Sequence, residues 1–252
     1  ADWREPASFD PLDIAAAERG VIMKLAWFAD PVFKGDYPHT MKVILGDKLP
    51  SFNESEVKLL NGSADFFGLN HYGSGYASNS QYAGWMSAYN SVSEAGLLQD
   101  PDATWLYSAP WGFRKLLNWA ADRYDSPEII VTEGGWAATN YVDDSQRFDY
   151  YANYTSEMLK AINEDGLNIT GYYAWSYIDN IEWEMGFTER FGIVYNDYGL
   201  GLDLNAPVNQ SEQPTTNQTR TRKCSSYWFE KVWRSNSLVD PLSVSLDECI
   251  GA

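Results

Sequence analysis

The sequence predicts an α/β chain, and two observations carry that prediction. Apolar residues at helical spacing alternate with short strand-like runs in the order helix, strand, helix, strand, helix, strand, helix. The run Ile129-Ile130-Val131-Thr132 is β-branched throughout, which marks a strand covered on both faces as in a parallel sheet. The alternation is that of an α/β barrel, yet only three strands are convincing, and three strands cannot close a barrel. At 252 residues the length alone would permit a complete eight-stranded barrel, so the strand count is the tighter bound.

The elements follow in order. Asp10-Pro11-Leu12-Asp13 is a helix-start signal, after which Ile14, Ala17, Val21 and Leu25 keep helical spacing, and Asp30-Pro31 is expected to end that helix. Gly35-Asp36-Tyr37-Pro38 reads as a loop and residues 64–70 as a buried strand finishing at Asn70-His71-Tyr72. Residues 73–110, rich in Ser, Gly, Tyr and Asn, read as a long loop of the kind that is usually functional. Phe113, Leu116, Leu117 and Ala120 mark the next helix, 129–132 the next strand, Phe148, Tyr151, Met158, Leu159 and Ile162 a further helix, and 169–176 the third strand. The polar stretch 205–221 is expected as an exposed excursion, and Tyr227-Trp228-Phe229 with Val232-Trp233 give the final helix. With no internal repeat, residues 1–252 are expected to form one domain.

The second strand raises a chemical question, because it delivers Glu133 at its carboxyl end, where parallel sheets place their chemistry. Gly134 and Gly135 then let the backbone turn sharply and leave room beside the carboxylate. Glu133 is a catalytic candidate on this ground, and a Glu that caps a strand end in a turn is the alternative.

Eighteen Lys and Arg against 35 Asp and Glu give a formal charge of −17, which repels phosphate backbones and argues against a nucleic-acid partner. Eleven Trp and 17 Tyr suit stacking on neutral sugars as well as core packing. No apolar run approaches a membrane span, and Ala1-Asp2-Trp3-Arg4-Glu5-Pro6 carries no signal-peptide pattern, a signal being expected to have been removed or to lie on sequence outside the chain. Asn53, Asn61, Asn153, Asn168, Asn209 and Asn217 each begin an N-x-S/T sequon, more than composition would supply by chance, and Asn153 falls on the polar side of its helix. A secreted or vacuolar eukaryotic glycoprotein is the expectation. In such a compartment Cys224 and Cys249, the only cysteines, would pair across a short loop; two buried free thiols are the alternative.

The stretch ITGYYAWSYIDNIEWEMGFTERFGIVYNDY resembles the carboxyl-terminal signature of glycoside hydrolase family 1, the retaining β-glucosidases and β-galactosidases. DIAAAERGVIMKLAWFADPVFKGDYP, LPSFNESEVKLLNGSADFFGLNHYGSGYA, PWGFRKLLNWAADRYDSPEIIVTEGG and SSYWFEKVW match the same family in the same order, over about residues 10–235. The resemblance implies a (β/α)8 TIM barrel of which this chain is the carboxyl-terminal half, with the last three strands and last four helices. It also implies a companion polypeptide carrying the amino-terminal half and its acid/base Glu in a TFNEP-type segment. Neither cofactor nor metal is implied.

By the same resemblance Glu133 is the nucleophile, although the family usually has Asn where Gly134 stands, and Tyr72 donates a hydrogen bond to it. Asn70, Trp175, Glu182, Trp183 and Phe191 match the residues around the glycone, and Trp105 matches the aglycone platform. Glu182 would accept from the hydroxyls at C4 and C6, which disfavours 6-phosphorylated sugars because like charges would meet. His71 is expected as a packed, non-catalytic histidine. Ser51-Phe52-Asn53-Glu54-Ser55 imitates TFNEP, but Glu54 follows no buried strand and aligns with a helix entry, so a structural role is expected for it. The implied activity is retaining hydrolysis of terminal β-glucosides or β-galactosides. Transglycosylation, acid-independent S-glycoside cleavage and a non-catalytic carbohydrate-binding half barrel are the alternatives.

Overall fold

The structure is a computed structural model and describes residues 1–79, 90–91, 97–137, 142–198 and 217–250. Counting strands of three residues or more, the described elements are β1 (Trp3–Pro6), α1 (Pro11–Val21), α2 (Trp27–Lys34), α3 (His39–Leu45), α4 (Glu54–Leu60), β2 (Phe67–Asn70), β3 (Ser74–Ser78), α5 (Pro110–Arg123), β4 (Ile129–Gly134), α6 (Ser145–Asn163), β5 (Ile169–Ala174), β6 (Val194–Asn196), β7 (Arg220–Arg222), α7 (Cys224–Ser235) and α8 (Leu246–Ile250).

The three expected strands are present and lie side by side in the order β2-β4-β5. Ile129 N donates to Asn168 O at 2.8 Å and Trp175 N to Gly134 O at 2.7 Å, so both strands advance together and β4 runs parallel to β5. Phe67 N to Glu128 O at 2.7 Å and the side-chain bond from Thr132 to Asn70 give β2 the same direction.

The chain divides into two compact units, the first being Ala1–Leu98, Tyr107–Thr132 and Glu157–Tyr172, the second Gln99–Leu106, Glu133–Ser156 and Tyr173–Ala252. In the first, α5 buries Phe113, Leu116, Leu117, Ala120 and Ala121, the face expected from the sequence. Phe33, Phe67 and Tyr124 form an aromatic triangle with ring centroids 5.0 to 5.4 Å apart. In the second, Tyr150 stacks on Tyr154 at 4.1 Å and Tyr151 meets Phe229 edge-on at 4.6 Å, so α6 and α7 pack through rings.

Several expectations need correction. A fourth strand, β1, pairs in parallel with β3, which itself lies inside the stretch expected to be a loop. The helix does not end at Asp30-Pro31: a π-helical stretch over Ile22–Ala26 leads into α2, which holds Pro31 inside and stops at Gly35 in the left-handed conformation, φ 77°. Asp30 is instead buried, its carboxylate taking a bidentate pair from Arg123 at 2.8 and 2.6 Å and the Tyr124 hydroxyl at 2.9 Å. Ile14 is exposed rather than core-facing. The first strand begins at Phe67 rather than 64, and the third ends at Ala174. Part of the polar excursion is strand β7, paired antiparallel with β6; residues 201–216, including Asn209, lie outside the described residues. Cys224 and Cys249 form a disulfide, which removes the free-thiol alternative.

Candidate active site

Three carboxyl ends of adjacent strands carry the first group of candidates: Asn70 ends β2, Glu133 precedes the last residue of β4, and Trp175 follows β5 directly. Their placement follows from β-branched and aromatic runs that stop at glycine, amide or indole residues. Asn70 Oδ1 accepts the Thr132 hydroxyl at 2.6 Å, and half-buried Tyr72 lies in the turn between β2 and β3.

Within the second unit the surroundings of Glu133 are closely specified. Glu133 is half-buried, and a Cβ on Gly135 would lie 2.1 Å from the Trp175 carbonyl oxygen and 3.2 Å from the Phe191 ring. No side chain fits there, so the second glycine is required by close approach. The Tyr151 hydroxyl donates to the same Trp175 carbonyl at 3.0 Å, and the Trp175–Ser176 peptide is cis.

From Trp175 the chain is fastened at both ends: Ser176 N to Phe191 O at 3.0 Å and Ile193 N to Ser176 O at 2.8 Å. Beneath it lies a buried ionic network that sequence reasoning missed. Asp179 accepts Lys223 Nζ at 2.7 Å, Arg190 at 3.1 Å and Gly192 N at 3.0 Å, while Arg147 bonds Asp144 at 2.6 Å and the carbonyls of Trp136 and Gly192 at 2.8 Å each. These charges are paired and hydrogen-bonded, the condition under which burial is tolerated. They hold the backbone that carries Phe191.

Glu182 is half-buried at the head of a tight turn, its N–H donating to Gly186 O at 2.6 Å. Burial raises its carboxyl above the usual range, a Trp175 side-chain hydrogen bond opposes that, and the negative charge of Glu133 reinforces it. Trp175, Glu182 and Glu133 therefore act on one another. Phe191, only 2% exposed, stacks with Trp105 at 6.4 Å. Trp183, by contrast, is a surface ring, 84% exposed.

The imitation motif is elsewhere. Asn53 caps α4 through Ser55 N and Glu56 N, both at 3.0 Å, and Glu54 is exposed at the first turn. His71 is buried, stacked on Phe113 at 4.9 Å, and burial pushes its imidazole down to about 4, as suits a packed neutral ring. Among the described residues no three His, Cys, Asp or Glu converge to hold a metal ion.

A half barrel of parallel strands with a carboxylate at one strand end and aromatic rings and a second carboxylate beside it has its chemistry-bearing residues where α/β barrels place an active site. The profile of Glycosyl hydrolase family 1 matches residues 1–238, and the chain belongs to that family. Beta-glucosidase 42 of Arabidopsis thaliana is 39% identical over 249 residues, covering 91% of this chain and 47% of the relative. The Lactase-like protein of Homo sapiens is 36% identical, covering 96% and 44%. Among solved structures, a GH1 beta-glucosidase from the fungus Humicola insolens in complex with glucose superposes with a TM-score of 0.81 at 34% identity, covering 96% of this chain and 50% of that one. A mutant of rice Os3BGlu6 beta-glucosidase in a covalent complex with Glc gives 0.79 at 34% identity, covering 91% and 49%. The chain spans about half the length of the curated relatives it matches.

Proposed function

We propose that this chain supplies the nucleophile and glycone site of a retaining β-glycosidase acting on terminal β-glucosides or β-galactosides. The observation that carries the reading is Glu133 at a strand end, with the Trp175 backbone brought close behind it by Gly135 and with Glu182 in electrostatic reach. Retaining hydrolysis needs two carboxyl groups about 5 to 5.5 Å apart. The Glu133 carboxylate attacks the anomeric carbon while a carboxylic acid on a companion amino-terminal half protonates the departing oxygen. Water then releases the sugar, the same companion group taking its proton. The covalent Glc in the rice relative supports an intermediate of this kind.

Binding follows from the remaining groups. Glu182 accepts sugar hydroxyls, Trp175, Trp183 and Phe191 offer ring faces to the glycone, and Trp105 offers one to the aglycone. Asn70 and Tyr72 supply donors at the neighbouring strand end, Tyr72 to the nucleophile. The exposed positions of Asn53, Asn61, Asn153, Asn168 and Asn217, together with the disulfide, support a secreted or vacuolar glycoprotein. Among the described residues no helix is long and apolar enough to cross a membrane.

A non-catalytic sugar-binding half barrel is the second reading, favoured by the exposed helical position of Glu54, which leaves the acid role to another chain segment. Glu133→Ala in the assembled protein separates the two. Hydrolysis should fall by at least a thousandfold and return with inverted product when azide is added; unchanged hydrolysis would refute the nucleophile assignment.

A further inference from the structure

The second unit contains a carboxylate that the reading above does not use. Glu189 is 4% exposed, and its Oε2 receives no hydrogen bond among the described residues. A buried acceptor left unpaired is costly and calls for a donor. Trp105 holds the carboxylate by a side-chain hydrogen bond and stacks on Phe191, two residues further along, so Glu189 lies where the aromatic platform meets the glycone side.

The company it keeps defines the ligand. The turn that presents Trp105 begins at Asp100, whose Oδ1 accepts the amides of Asp102 and Ala103 at 2.9 and 3.0 Å, while its Oδ2, also buried, has no partner among the described residues. The charges acting on Glu189 are those of Glu182, Asp102 and Glu184, and those acting on Glu182 are Glu133 and Glu184; every one is negative. A neutral hydroxyl would satisfy one oxygen and leave this field in place. A cation would satisfy the oxygen and relieve the field. With no three acidic groups close enough for a metal ion among the described residues, an organic ammonium is the fitting charge.

We propose that Glu189 is a specificity-determining residue that binds an ammonium group on the substrate, carried by the sugar or by its leaving group. The inference rests on the glycosidase reading for its site, but its test is equilibrium binding and does not depend on turnover. The assembled protein is titrated with two matched pairs of C-linked alkyl β-glucosides, which have no glycosidic oxygen to lose: one with amine against hydroxyl at C6 of the sugar, the other with an aminoalkyl against a hydroxyalkyl group in the leaving-group position. The expected result is about tenfold tighter binding of the amine in at least one pair, the pair identifying which part carries the charge. In Glu189→Gln, which keeps shape and loses charge, the ratio should fall to about one. Should that variant fail to fold, Asp102→Asn is expected to cut the ratio at least threefold. Equal or weaker binding of both amines to the parent protein, or a ratio that survives in the folded variants, would overturn the proposal. Loss of all glucoside hydrolysis with the amine preference intact would instead count against the glycosidase reading alone.

Discussion

The Thr132 hydroxyl donates to Asn70 Oδ1 at 2.6 Å, tying the end of β2 to β4 one residue before Glu133. The bond fixes the Asn70 amide so that its N–H groups face away from Thr132. A local β-branched choice at Thr132 thus serves both strand propensity and the orientation of a proposed sugar-binding group.

Thr132→Val keeps the shape and removes the donor. A hydrogen bond of this kind contributes about 1 kcal/mol, so kcat/KM of the assembled protein should fall about fivefold, while Thr132→Ser should restore most of it. Steady-state kinetics on one neutral glucoside checks both; equal loss in the two variants would contradict the role of the hydroxyl.

Gly135→Ala would place a methyl 2.1 Å from the Trp175 carbonyl, which no rotamer can relieve. Destabilisation of about 1–3 kcal/mol, with loss of hydrolysis, is expected from overpacking of that kind. Gly46→Ala, where a Cβ would meet nothing within 4 Å but the backbone has φ 52°, should cost stability without touching hydrolysis. Thermal unfolding and activity of the two variants, taken together, distinguish steric crowding at the site from general backbone strain.

How much of this was legible in the sequence depended on whether a residue's partner was local. β4 and its glycines stood out because an unbroken β-branched run ends at a charged residue, and α5 because apolar residues recur at helical spacing. β1 was invisible: four residues with Arg4, Glu5 and Pro6 acquire strand geometry only by pairing with Ser74–Ser78, far away in the chain. The proline at 31 misled because a wide helical turn ahead of it and the Asp30–Arg123 pair override its usual meaning. Lys223, Arg147, Asp179 and Glu189 carry no sequence signal at all, since charged residues are ordinarily exposed and only tertiary pairing reveals the exception.

Asp100 gives a stability prediction with a definite sign. Burial raises its carboxyl from 3.8 to about 7, against the amides of Ala103 and Asp102 that favour the anion. Below the unfolded value both states hold the proton. Between about 4 and 7 the folded state binds more protons than the unfolded one, so this group's contribution to stability declines as pH rises and levels off above the folded value. Asp100→Asn should therefore raise Tm by a few degrees at pH about 8 and change it little near pH 4. The opposite order across pH would contradict the assignment.

The disulfide closes a separation of 25 residues between α7 and α8. Loop entropy of that size corresponds to about 3.5 kcal/mol, so Cys224→Ser with Cys249→Ser should lower Tm without altering the pH profile of hydrolysis. Differential scanning calorimetry with parallel kinetics tests this.

The central claim is that Glu133 forms the bond to sugar. A β-glucoside fluorinated at C2 and carrying a good leaving group should form a slowly hydrolysed adduct on the assembled protein, since fluorine slows both steps and the leaving group rescues the first. Peptide mapping by mass spectrometry reads the answer directly: the account predicts the fluoroglucosyl mass on the peptide containing Thr132-Glu133-Gly134, and the same mass on a peptide carrying Glu54, Glu182 or Glu189 instead would contradict it.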